Sequence, residues 1–300
     1  MKSLSRLSIV IERWKQEHRS QIDDSKYSLY LWKRSPLSMM GLAIVAALIV
    51  VAVLAPYIAP YNPIEQDLSM RLSPPSSSHI FGMDTLGRDI FSRVVYGCRI
   101  TLEIAFVITL VGGSAGSIVG VIAGYAGGKV DEILMRVTDM FLAFPRLILA
   151  LAFAAALGPS LVNMIIAISV VDWPIYARLA RGQALSAKRE DFVEAARAMG
   201  AGNWRVIFLH ILPICLSPII VQVSLRLGDV ILTAAGLGFL GLGAQPPTPE
   251  WGVMVSDGRN FILNEWWIAT FPGLAIMVVV LGFNLIGDGV RDIMDPRLRR

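Results

Sequence analysis

Charge is what this chain has least of. Only 17% of its 300 residues are Asp, Glu, Lys or Arg, against 55% hydrophobic types, and its mean hydropathy is +0.60. A soluble domain is roughly a quarter charged. The shortfall argues against a soluble enzyme, and the apolar surplus argues against intrinsic disorder. Cysteine is nearly missing, with Cys98 and Cys215 alone. Neither a disulfide scaffold nor a cysteine-rich zinc module can be built from two. His18, His79 and His210 are too scattered to suggest a metal site. The net charge of +4 is small, so its distribution says more than its size.

What is present is a set of long uncharged runs. Six stretches of 20 or more residues lack Asp, Glu, Lys and Arg: 35–64, 104–128, 147–171, 206–225, 230–249 and 266–287. A membrane-spanning helix needs about 20 mostly apolar residues. Gly158-Pro159-Ser160 is a turn signal that splits the third run. The fifth holds glycines at 236, 238, 241 and 243 and then Pro246-Pro247, so it is too broken to span alone. It reads as the end of the preceding helix followed by a glycine-rich turn or re-entrant piece. The sequence therefore predicts an all-α membrane protein of six spans, near 37–58, 100–123, 137–157, 161–180, 211–233 and 267–287.

Lys and Arg are biased toward one set of connections. Segments 1–36, 124–137, 178–210 and 287–300 carry 20 of them, whereas 59–99, 158–160 and 244–266 carry 5. The positive-inside rule then places both termini in the cytoplasm. The first run follows some 35 mixed-charge residues, unlike a secretory signal, and residues 1–36 read as a cytoplasmic tail.

Within the second span Gly112, Gly116, Gly120 and Gly124 recur every four residues. They form a smooth stripe on one helix face, suited to close helix approach. The stripe serves either packing inside the bundle or contact with a second membrane subunit. Gly-Gly-Ser-Ala-Gly in this stretch formally matches a nucleophile elbow, but that motif needs a strand–turn–helix setting. Arg146, Asp172, Arg226 and Asp229 fall inside spans, where ionisable residues are costly. Arg226 and Asp229 share a helix face. The four either line a polar pathway or pair structurally within the bundle. The loop 244–266 is rich in Trp and Pro, and Trp251, Trp266 and Trp267 suit an interfacial aromatic belt.

The connection 178–210 is polar and helix-favouring as far as Met199, with a stop at Gly200-Ala201-Gly202. Its string EAARAMGAGNWRVIFLHILP resembles the EAA motif of ABC importer permeases, EAA-x3-G-x9-I-x-L-P. Glu194, Ala195, Ala196, Gly200, Leu212 and Pro213 match, while His210 replaces Ile. Four further segments, 81–99, 124–145, 237–252 and 284–299, are similar to the C-type permeases of dipeptide, oligopeptide and nickel importers.

This resemblance implies a type I ABC importer permease-like bundle in a bacterial inner membrane. Residues 1–36 would be a tail, 37–99 the first span and its extracytoplasmic loop, 100–290 a five-helix core, and 291–300 a second tail. Glu194, Ala195, Ala196 and Gly200 inherit the role of coupling to an ATPase. The implied partners are a sister B-type permease, two ABC ATPase subunits or domains, and an extracytoplasmic solute-binding protein, with membrane lipid around them. Nucleic acid is not among them. The Trp-rich outer loop could meet the binding protein as well as the membrane surface. No G-x-x-x-x-G-K-[ST] phosphate loop occurs in the sequence. No cofactor is therefore expected on this chain, and ATP and Mg belong to the partner ATPases. Transport of di- or oligopeptides is the leading expectation. Nickel or a nickel chelate is the alternative, weakened by the lack of a His or Cys cluster. An ATP-independent channel or secondary transporter, or an intramembrane hydrolase using Ser114, is remote.

Overall fold

A computed structural model describes residues 35–294. The expected tails 1–36 and 291–300 therefore lie almost entirely outside the described residues. Ser35 caps the first helix by accepting from the Ser38 N–H, and Pro36 sits where no intrahelical N–H is needed. This helix, α1 (Pro36–Val53), is followed by the short α2 (Ala55–Ile58). The connection 59–89 carries a single 3-10 turn, Leu68–Met70.

Asp89 starts α3 (Ile90–Ala126), its Oδ2 accepting from the Ser92 N–H at 2.8 Å. This helix begins ten residues before the predicted span. The sequence reading places 90–99 in the outer segment 59–99. In the fold Arg93 is buried and donates to the Pro63 and Pro247 carbonyls, so its charge does not end the helix. Gly127, with φ +68°, then stops it.

The expected single span at 137–157 is corrected. The chain forms α4 (Gly128–Leu142) and α5 (Arg146–Leu157), bent by 92° across Ala143–Pro145. Pro145 removes a backbone donor and restricts Phe144, so the apolar pattern continues while the helix cannot. Beyond the turn at Gly158 comes α6 (Leu161–Ala187), seven residues longer than expected. The 178–199 stretch is not continuous helix, because a turn at 188–190 separates α6 from α7 (Asp191–Ala198).

Helix α8 (Asn203–Phe239) includes a π-helical turn at Val206–Ile211. It ends before Gly241, and 240–250 turns back without crossing. α9 (Trp251–Gly258) and α10 (Trp267–Met294) complete the chain. Among the described residues, five helices are long and apolar enough to cross a membrane, or six spans if α4–α5 counts as one broken crossing.

The connections 59–89 and 240–266 share one end of the bundle, here called the upper end. The segment 188–202 is at the lower end. The main core joins Ile104, Ile108, Met164, Ile168 and Leu237 in mid-bundle to Ile90 and Trp251 above. A second core at the lower end gathers Val121, Tyr176, Ala184, Val193, Val206 and Cys215.

Candidate functional site

The glycine stripe of α3 lies directly on α6. A Cβ on Gly112, Gly116, Gly120 or Gly124 would meet the carbonyl oxygen of Ser169, Trp173, Ala177 or Arg181 respectively. The step is four residues on both helices, so they run parallel in fixed register. At Gly112 the contact is ordinary, at 3.4 Å, but at the other three it falls below 3 Å. Only glycine allows this approach. The same approach sets Gly112 against Asp172 and Gly116 against Tyr176.

Arg146, Asp172, Arg226 and Asp229 come together near the middle of the bundle. Arg146 opens α5 just after the break, Asp172 is on α6, and Arg226 and Asp229 are on α8. Asp172 Oδ1 lies 3.0 Å from Arg146 Nη2 and 2.7 Å from Arg226 Nη2. Arg226 Nη1 reaches Asp229 Oδ2 at 3.3 Å. Two positive and two negative charges cancel formally, as burial in hydrocarbon demands.

The match of hydrogen bonds is poorer. Asp172 is 1% exposed, yet its Oδ2 has no hydrogen-bond partner among the described residues. The same holds for Arg146 Nε, Arg226 Nε, Tyr176 Oη and Ser169 Oγ. Ser169, Asp172 and Tyr176 follow at i, i+3 and i+7 on one face of α6. Sequence reading named Asp172 and missed its two polar neighbours, which carry no charge to draw attention. Their spacing relative to Asp172 was the available signal. The cluster can therefore hold water or a polar solute in a bilayer that offers neither.

At the lower end, α7 presents one face to the bundle and one to solvent. Val193 and Ala196 are buried, whereas Asp191, Glu194 and Ala195 are exposed. The helix ends in a Schellman turn. Ala201 N–H bonds to the Ala196 carbonyl, and Gly200 N–H to that of Arg197, with Gly200 at φ +85°. A Cβ on Gly200 would touch nothing within 4 Å, so glycine is there for its backbone angle alone. The seat of α7 is tied to its neighbours. Tyr125 Oη donates to Asn203 Oδ1 at 2.8 Å, Lys188 Nζ donates to the Tyr125 carbonyl, and Arg181 makes two bonds of 2.6 Å to Asp131.

The upper end corrects the aromatic belt. Trp251 is 1% exposed, and its indole N–H donates to the Val94 carbonyl. Trp267 is also buried, donating to the Met83 carbonyl. Of the three, only Trp266 is exposed. Glu250 caps α9 through the Gly252 and Val253 N–H groups, and burial nevertheless pushes its carboxyl above the usual range. Burial likewise raises Asp257 despite nearby Arg88.

Two family models match the sequence. Residues 116–300 match the binding-protein-dependent transport system inner membrane component, and residues 27–75 the N-terminal TM domain of oligopeptide transport permease C. The chain is 46% identical over 269 residues to the probable D,D-dipeptide transport system permease protein DdpC of Escherichia coli K12, covering 90% of each chain. It is 49% identical to the dipeptide transport system permease protein DppC of Alkalihalophilus pseudofirmus, covering 89% of this chain and 88% of that one. Its fold resembles two inward-facing structures of the MetNI methionine ABC transporter. Their TM-scores are 0.53 and 0.54 at 21% and 23% identity, over 68% and 69% of this chain and 97% and 98% of those chains.

Proposed function

The chain belongs to the family of binding-protein-dependent transport system inner membrane components, and from that membership we propose that it is the C-type permease of an ABC importer for dipeptides. The naming of its relatives for dipeptides favours peptide over nickel. With a sister B-type permease it forms the pathway through the inner membrane. An extracytoplasmic binding protein delivers the peptide to the upper end, and both chain termini face the cytoplasm. Two ATPase subunits, which hold the ATP and Mg, grip the lower end.

The observation that carries this reading is α7. It is a short amphipathic helix, anchored by Val193 and Ala196 and closed by the Gly200 turn, which leaves Glu194 and Ala195 outward for a partner. Movement of the ATPases against this helix reaches α6 and α8, which flank it, and so tilts the bundle. Arg146, Asp172, Arg226 and Asp229 form a polar station on the route. Their unfilled hydrogen-bonding atoms suit a zwitterionic cargo, and the α4–α5 break beside them supplies a joint.

The test is purification of the intact assembly and its reconstitution in proteoliposomes with the binding protein. The expected result is ATP-dependent dipeptide uptake with two ATPases and a second permease present. Uptake that continues after the ATPases are stripped away would refute it.

A further inference from the structure

A cavity of about 700 Å³ opens at the lower end between the end of α3 and the start of α8. Its polar side is Lys188 and Arg197, both set against one aromatic ring. Lys188 Nζ is 5.5 Å and Arg197 Cζ 4.9 Å from the Tyr125 centroid. Lys188 spends one proton on the Tyr125 carbonyl. Neither cation forms an ion pair among the described residues, and no carboxylate lines the cavity. Among the described residues, the buried Arg88 and the half-buried Arg146 each face an acid, whereas the half-buried Lys188 and the exposed Arg197 do not. Two like charges held over one ring repel each other, and an anion between them removes that repulsion.

Apart from Asn203, whose Oδ1 accepts from Tyr125 Oη, the remaining wall is apolar. Ile122 and Ile207 line it, and Trp204 stands at its mouth, 64% exposed and stacked on Phe208. Ile122 lies four residues before the end of a membrane-spanning helix, so this wall continues into the hydrocarbon region. A free phosphate would use the cations and leave the wall bare. An acidic side chain of an ATPase would do the same. A phospholipid uses both, with its phosphate on Lys188 and Arg197, its glycerol beside Trp204, and an acyl chain along Ile122 and Ile207.

We propose that this cavity binds the headgroup of an anionic phospholipid, lodged between the bundle and the coupling helix. Its position rests on the reading of 188–202 as the cytoplasmic end. Since Arg197 belongs to α7, the bound lipid braces the coupling helix against α3 and α6.

The test uses the whole assembly in nanodiscs of phosphatidylcholine alone or mixed equally with phosphatidylglycerol, with retained lipid counted by native mass spectrometry. The wild type is expected to retain phosphatidylglycerol in preference to phosphatidylcholine. Lys188→Gln with Arg197→Gln should weaken that retention roughly thirtyfold, each cation near the surface contributing about fivefold. Lys188→Arg should keep it. Equal retention of both lipids by the wild type, unchanged retention in the double variant, or retention only after ATPase removal would overturn the proposal. The ATPases are weighed in the same spectra, so their absence counts against the coupling reading and leaves the lipid count to decide separately. Should the double variant fail to assemble, the wild-type preference and Lys188→Gln alone decide.

Discussion

The two ends of this bundle are built differently. At the upper end, long side chains reach across loops and are buried in doing so. Arg88 and Asp84 pair at 2.6 Å, Arg93 holds the carbonyls of Pro63 and Pro247, and Trp251 and Trp267 pin α9 and α10 to residues 83–94. At the lower end, α7 attaches through the buried Val193 and Ala196 and a backbone turn, and the hydrogen bonds nearby come from the residues that flank it, Lys188 and Asn203, to Tyr125 of α3. Polar contacts from distant loops make the first end stiff. Small residues and an exposed acidic face make the second easy to grip and to move. The stiff end forms a rim, and the lean end is the one proposed to receive force.

The sharpest way to break this comparison is at the rim. Trp251→Ala removes a fully buried indole and its bond to Val94, and should cost about 3–5 kcal/mol. Thermal unfolding in detergent would read this, and a midpoint close to wild type would mean that the upper end is not stiff. Between the ends, Asp172→Ala leaves Arg146 and Arg226 facing each other without their shared acid. A loss of about 3 kcal/mol is expected, with uptake lost as well. Asp172→Asn should recover part of the stability and none of the uptake, as measured in proteoliposomes.

At the lower end the expected effects on stability shrink while those on transport do not. Gly200→Ala forces a left-handed alanine and should cost about 1–2 kcal/mol locally. Glu194→Gln alters an exposed side chain and should leave stability within about 0.5 kcal/mol. Both should lower uptake per ATP hydrolysed several-fold. Normal coupling in both would remove α7 from the transmission route.

The smallest effect is that of pH. Glu250 and Asp257 have raised carboxyl pKa values in the folded chain, so the folded state binds their protons more tightly than the unfolded one. Their stabilising contribution is present on the acid side and fades as pH rises from the ordinary carboxyl range through the raised values. Thermal midpoints should fall by about 1–2 °C on moving from about pH 5 to about pH 7. Asp257→Asn should flatten that slope, which the same unfolding scans would show.

The lean end was more legible in the sequence than the stiff one. The Gly200 stop and the small residues of α7 are local signals, read from neighbours in the chain. The glycine stripe of α3 was equally plain, although its partner was not, because spacing names a face and not what lies against it. Charges inside spans stood out individually as Arg146, Asp172, Arg226 and Asp229. Only the pairing of Arg226 with Asp229, on one helix face, could be read; the meeting of Arg146, Asp172 and Arg226 depends on how α5, α6 and α8 pack. Residues 90–99 misled as outer connection and Trp251 as a surface anchor for one shared reason. Both stretches look interfacial by composition, yet Arg93 is buried against the Pro63 and Pro247 carbonyls of the loops and Trp251 against the Val94 carbonyl of α3.

Composition alone determined that this chain lives in a bilayer, since nothing else accommodates so many long uncharged runs. Spacing determined which helix face is smooth and where α7 stops, because both depend on residues a turn or less apart. The tertiary structure decided the rest. It bent the third crossing element at Pro145, set α6 parallel to α3 in a four-residue register, and made one aspartate serve two arginines. Those outcomes depend on which surfaces meet once the helices pack, and no stretch of sequence contains its own neighbour.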